Sequence, residues 1–205
     1  MPNPLLRRVG PEAMDDWLRA AYRESRALQE SKGGDATFYE IGANAPELLE
    51  WYIRGFYGSV FYGGRVDVRM KELLRYRLSM THGCAFCNKG NIEAARRAGL
   101  GDDQLAAVMD ADSDVFSGPE RAVLRLAAEM ALTNMEGRLT PALYDSLSAH
   151  FDDGEIFELG MVAAVLTGMA KFLFVYDLVE REAHCPVGPP PTAEQKPAAE
   201  QAAAE

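Results

Sequence analysis

Apolar residues recur along most of the chain at the spacing of one helix face, and no stretch sustains a period of two, so the pattern predicts helices throughout. Pro11-Glu12 is a helix-start signal for an amphipathic arm over 11–31, which carries Trp17, Leu18, Ala21 and Leu28 among many charges and stops at Gly33-Gly34-Asp35. Pro46 opens a second helix with apolar or aromatic residues on almost every side, including Leu48, Trp51, Tyr52, Phe56 and Tyr57, closed by Gly63-Gly64. A third runs from about Val68 through Leu73, Leu74 and Leu78 to a break at Gly83. A fourth runs from about Cys84 to Ala98, punctuated by Gly99 and Gly101. Further helices start at Asp102, at Ser117-Gly118-Pro119-Glu120 and at Pro141, the last with Thr140 as cap. The fold class expected is an all-α bundle of seven to eight helices.

The final helix needs separate weighing. Gly160 to Val179 is almost wholly apolar over a length that would cross a bilayer. Lys171 and Asp177 lie within it, and Gly160, Thr167, Gly168 and Ala170 dilute its hydrophobicity, so a central core helix buried on nearly all sides is expected. A helix of that kind often needs a neighbouring subunit to cover it. After Cys185 the composition turns to Pro, Ala, Glu and Gln, which cannot bury apolar surface. The organisation expected is a helical arm (1–37), an all-helical domain (38–185) and a disordered tail (186–205).

Composition narrows the function. The 205 residues hold 31 acidic and 21 basic side chains, a net charge of −10. Such a surface repels phosphate backbones and anionic lipid, which argues against nucleic-acid and membrane partners. Three cysteines are too few for a secreted disulfide scaffold, and the N-terminus lacks the apolar stretch of a signal peptide. A cytoplasmic location is expected.

The chemistry concentrates at Cys84-Ala85-Phe86-Cys87. Two cysteines three apart at a helix start share one face, and the amides and dipole there favour thiolate over thiol. A thiolate attacks a peroxide or a disulfide, and a second sulfur one turn away resolves the product. Two buried packing cysteines, or half of a zinc site completed by Cys185, His184 and His82, are the other readings of the same residues. His82 stands two residues before Cys84, either near the thiols or as a loop histidine at a helix end; His184-Cys185 reads as a frayed terminus or as a segment folding back to the dithiol. On a helix, Glu72, Tyr76 and Ser79 fall along one polar row. Glu72 then either faces a pocket or is solvated and paired with Arg75 at i+3.

The run Lys71-Glu72-Leu73-Leu74-Arg75, followed by Gly83-Cys84-Ala85-Phe86-Cys87 and by Asn88 through Leu100, resembles the carboxymuconolactone decarboxylase / alkylhydroperoxidase-D superfamily, as do Gly99-Leu100-Gly101-Asp102 and Phe116-Ser117-Gly118-Pro119-Glu120-Arg121. The likeness extends over about 38–183. It implies an all-helical protein assembled as a trimer or hexamer. It also implies a peroxidase-type oxidoreductase that needs no cofactor or metal of its own and is recharged by an external dithiol reductant protein. By that resemblance Cys87 is the attacking thiolate, Cys84 the resolving and more exposed sulfur, and Glu72 the proton-relay carboxylate. The sequence departs from the family where a relay histidine is usual, because Asn91 occupies that place and cannot exchange a proton near neutral pH. His82, Asn91 and Tyr76 are accessory candidates. Two other functions fit the same scaffold: a lyase or hydrolase-like enzyme of aromatic or lactone catabolism, served by Tyr52, Phe56, Tyr57, Phe61, Tyr62 and Phe86, and a non-catalytic oligomer with a redox switch.

Overall fold

A computed structural model describes residues 2–32 and 36–186; Gly33-Gly34-Asp35 and the tail from 187 onward, for which disorder is expected from sequence, lie outside the described residues. Among the described residues there are nine α-helices and no strand. They are α1 (Asp16–Lys32), α2 (Thr37–Gly42), α3 (Pro46–Glu50), α4 (Val68–His82), α5 (Ala85–Arg97), α6 (Asp102–Ala107), α7 (Gly118–Glu129), α8 (Pro141–Ser148) and α9 (Asp153–Val175). The all-α class is as expected, with a longer list of elements. Pro11 starts a separate 3-10 turn rather than the arm helix, because Met14 is extended (ψ 147°) and the chain restarts its helix at Asp16. The aromatic second helix divides: after α3 the backbone widens into a π-helix over Trp51–Phe61.

That widening has a visible consequence. In an α-helix, residues five apart diverge by about 140° around the axis. With i→i+5 bonding, such as Tyr62 N donating to Tyr57 O at 2.9 Å, they turn towards a common side. The rings of Tyr52 and Tyr57 meet edge to face at 5.2 Å.

Helix α4 is the hub, packing against α5, α7 and α9. On one side it places Leu74 and Leu78 with Phe61, Val123, Leu159 and Val162; on the other it places Leu73 and Tyr76 with Ala95, Leu100, Phe116 and Leu124. Each fully buried leucine contributes about 2 kcal/mol of transfer free energy. A buried cation ties the elements together. Lys71 is fully buried, donating to Val60 O at 2.8 Å and pairing with Glu158 of α9 at 2.6 Å. Glu158 also accepts the amides of Arg65 and Val66, which together with Lys71 hold its carboxylate below the usual range despite burial. The arm helix α1 packs by Leu18 and Tyr22 onto Ala36 and Leu49.

The expectation of a core helix covered on nearly all sides is overturned for α9. It is long and apolar enough to cross a membrane by length and composition, but only 28% of its apolar window is buried. The reason is that its apolar residues lie on three faces and the fold covers one. Ile156, Leu159, Val162, Ala163 and Phe174 enter the core. Leu166, Met169 and Leu173 face a cavity. Phe157, Met161, Ala164, Gly168, Lys171 and Val175 are exposed.

Candidate active site

Helices α4 and α5 are joined by a corner of two residues. Gly83, at φ +65°, ends α4; its N–H donates to Met80 O, and that of Cys84 donates to Ser79 O. This left-handed Schellman turn is one that glycine adopts without penalty. Cys84 immediately becomes the N-cap of α5, its sulfur accepting from the Cys87 amide at 3.1 Å. Cys87 therefore lies one turn into α5, and the two sulfurs are joined in a disulfide with Cα atoms 5.2 Å apart.

The order of exposure is the reverse of that expected. Cys84 is 1% exposed, while Cys87 is half-buried. The cause is the C-terminal segment, which folds back to the dithiol rather than fraying, the second of the two readings of His184-Cys185. After α9 the chain reverses at Asp177 (φ 53°) and lies over the corner: Glu182 N donates to Gly83 O at 2.8 Å, Arg181 bridges to Cys84, and His184 Nε2 donates to Met80 O at 3.0 Å. Cys185 seats so close that a Cβ on Gly83 would come within 2.7 Å of its Cα. It joins Phe174, Val179 and Cys84 in one apolar cluster.

Both sulfurs line a cavity of about 390 Å³. Helix α4 contributes Arg75, Leu78, Ser79 and His82, the i, i+3, i+4 and i+7 positions of one face. The π-helix contributes Tyr52 and Tyr57, α5 contributes Phe86, Asn91 and Arg97, and α9 contributes Leu166, Met169 and Leu173.

Two sequence candidates fall elsewhere. Tyr76 points into the second core with Leu73 and Ala95, since it is one residue off the cavity face of α4. Glu72 is buried at 2% exposure one turn behind the wall, accepting from Arg75 Nη2 at 2.5 Å, so the arginine stands where the carboxylate was expected. Glu72 is paired with Arg75, as one reading had it, but it is buried rather than solvated and does not line the cavity. Burial raises its pKa above the ordinary carboxylate range, with Arg75, Arg97 and Tyr62 pulling it back. Burial likewise opposes charge on Arg75, but Tyr57, Glu72 and Tyr62 around it outweigh that and keep it a cation. Its guanidinium lies 5.7 Å from the Tyr57 ring and 4.8 Å from that of Phe61. Burial, reinforced by Tyr57, pushes the Tyr52 phenol well above its usual value.

His82 is on the cavity wall, 1% exposed, and its Nε2 accepts from Leu132 N at 3.1 Å. The accepting nitrogen is unprotonated, so the neutral ring carries its proton on Nδ1. Burial lowers its pKa to about 4. Among the described residues no group of three or more His, Cys, Asp or Glu side chains is gathered as a metal site. Arg75 is the residue that sequence reasoning passed over, having weighed it only as a partner for Glu72; the signal available was its i, i+4 and i+7 relation to Ser79 and His82.

Residues 46–129 match the model of the carboxymuconolactone decarboxylase family. The uncharacterised protein YdfG of Bacillus subtilis is 27% identical over 93 residues, 45% of this chain, and the match spans 63% of that relative's length. Debrominase Bmp8 superposes with a TM-score of 0.67 at 18% identity, covering 89% of this chain and 94% of its own, and a cysteine-to-alanine variant of it holds 2,3,4-tribromopyrrole. An uncharacterised peroxidase-related protein of Ralstonia eutropha JMP134, with an alkylhydroperoxidase AhpD core, superposes with a TM-score of 0.64 at 17% identity, covering 89% of this chain and 94% of its own. At these identities the likeness is one of fold.

Proposed function

We propose that this chain, which matches the carboxymuconolactone decarboxylase family model over residues 46–129 and shares the AhpD-like fold, is a thiol oxidoreductase that reduces hydroperoxides, or small disulfides, through Cys84 and Cys87. The observation that carries this reading is the bonded sulfur pair on the wall of a cavity, with one sulfur reachable and the other shielded. Cys87, the half-buried sulfur, is the attacking thiolate. It takes the terminal oxygen of the hydroperoxide to become a sulfenic acid, and the leaving oxygen departs as an alcohol with a proton from solvent. Cys84 then attacks the sulfenic sulfur, closing the disulfide and releasing water. An external dithiol attacks Cys87, and Cys84 leaves as a thiolate steadied by the Cys87 amide. A second donor thiolate frees Cys87. Shielding suits the resolving role, since Cys84 needs to meet only Cys87.

Glu72 is proposed to hold the Arg75 guanidinium in place at the wall, and Asn91 to serve as a hydrogen-bonding wall residue. His82, committed to Leu132 N, positions the α4 terminus rather than serving as a base. The reaction calls for no resident cofactor, the electrons coming from a dithiol reductant protein, and suits the reducing conditions of the cytoplasm. That debrominase Bmp8, a protein of the same fold, holds a small halogenated ring supports a small organic molecule as the substrate. The test is consumption of an organic hydroperoxide with a lipoyl or thioredoxin donor. Cys87→Ser is expected to abolish it, and Cys84→Ser to stop turnover after one equivalent. Two thiols that stay reduced under excess hydroperoxide overturn the reading.

A further inference from the structure

Acids outnumber bases 31 to 21 in this chain, yet among the described residues the cavity wall carries three cations and no carboxylate. Lys89 and Arg97 are exposed and stand at the opening, Lys89 with Glu180 3.5 Å away. Arg75 lies deep, with its side chain 11% exposed. Glu72, the hydroxyls of Tyr57 and Tyr62 and the ring of Phe61 surround its guanidinium and keep it charged at the wall. The wall also carries the rings of Phe38, Tyr39, Tyr52, Tyr57 and Phe86 and aliphatic residues of α9, with Ser25, Ser79, His82 and Asn91 as neutral polar side chains.

We propose that this cavity binds a single-ring aromatic carboxylate, with the ring held among Tyr52, Tyr57 and Phe86 and the carboxylate against Arg75. Such a molecule, bearing the reducible group towards Cys87, is the substrate class of the site. A cationic ligand meets three like charges at the wall, and a neutral one leaves those charges unmatched. The volume is of the size that encloses one small molecule rather than a folded partner. The assignment of substrate class rests on the dithiol reading of the same cavity; the binding itself does not need the sulfurs to react.

Calorimetric titration of the full chain in its disulfide form tests this, with benzoate, benzamide and cyclohexanecarboxylate as probes at neutral pH. Benzoate is expected to bind roughly tenfold or more tightly than benzamide and several-fold more tightly than cyclohexanecarboxylate. Arg75→Gln combined with Glu72→Gln replaces the ion pair by a neutral couple without stranding a buried acid, and is expected to erase the preference for benzoate over benzamide. Lys89→Gln with Arg97→Gln, on exposed positions that the fold does not depend on, is expected to weaken benzoate several-fold and to flatten its salt dependence. No heat with benzoate, equal affinity for benzoate and benzamide, or a preference that survives the Arg75 replacement overturns the proposal. Repeating the titration with Cys84→Ser/Cys87→Ser separates the two readings. Benzoate binding kept by that variant shows that the binding does not need the sulfurs; benzoate binding by a native chain that consumes no hydroperoxide removes the redox reading alone, and hydroperoxide turnover by the native chain without benzoate binding removes only the substrate class.

Discussion

Two neighbouring residues at the end of α4 carry costs that solution measurements can read. His82 is buried as the neutral ring, with a pKa of about 4 against an ordinary value of about 6.5. The unfolded chain therefore takes up a proton that the folded chain refuses. The stability linked to this group is present above about pH 6.5 and is lost as the pH falls towards about 4, by up to about 1.4 kcal/mol per pH unit. Urea midpoints between neutral pH and pH ~4.5 are expected to fall more steeply in the native protein than in His82→Gln, which keeps an acceptor for Leu132 N; equal slopes would mean that the ring is not held neutral. Glu72 works in the opposite sense. Its raised pKa favours the folded state at low pH, with that contribution lost as the pH rises through the folded value, so only the difference between the two proteins isolates His82. At Gly83 the left-handed backbone and the 2.7 Å approach to Cys185 act together. Gly83→Ala is expected to cost at least about 1 kcal/mol from backbone alone, and more from the displaced segment. Chemical denaturation would show it, and an unchanged midpoint would mean that the corner relaxes freely.

The elements differ in how far the amino-acid pattern exposes them. Caps and breakers spoke plainly: Gly83 stops one helix and Thr140 starts another as backbone freedom and side chain dictate. The π-helix is another matter, because an aromatic-rich run reads the same at 3.6 residues per turn as at a wider pitch until tertiary packing decides. The dithiol was legible from its spacing, whereas Arg75 was not, since which side of α4 faces the cavity depends on how α5 and α9 cross it. Helix α9 was legible in composition and misjudged in burial. Its exposed positions 157, 161, 164, 168, 171 and 175 step by four and three, the repeat of a knobs-into-holes seam. We propose that a second copy of the chain, which would supply a helix of matching period, covers this face. Sedimentation velocity is expected to show a species larger than one chain, reduced towards one chain by Met161→Glu with Ala164→Glu. If the wild type already sediments as a single chain, the seam has another use.

Taken as a molecule, the chain brings segments far apart in sequence to one spot. Residues 181–185 return across roughly a hundred positions to lie on the corner at 83–84, and α1, far away in sequence, contributes Ser25 to the cavity wall. The corner is thus held by a glycine turn, an N-cap and a returning segment, none of which needs the sulfur–sulfur bond. That bond closes a loop of only three residues' separation, and cross-linking so short a loop removes little freedom from an unfolded chain. Under the proposed cycle, a linkage that opens and re-forms in each round would be mechanically idle, and the scaffold is expected to keep its shape whichever way the electrons stand.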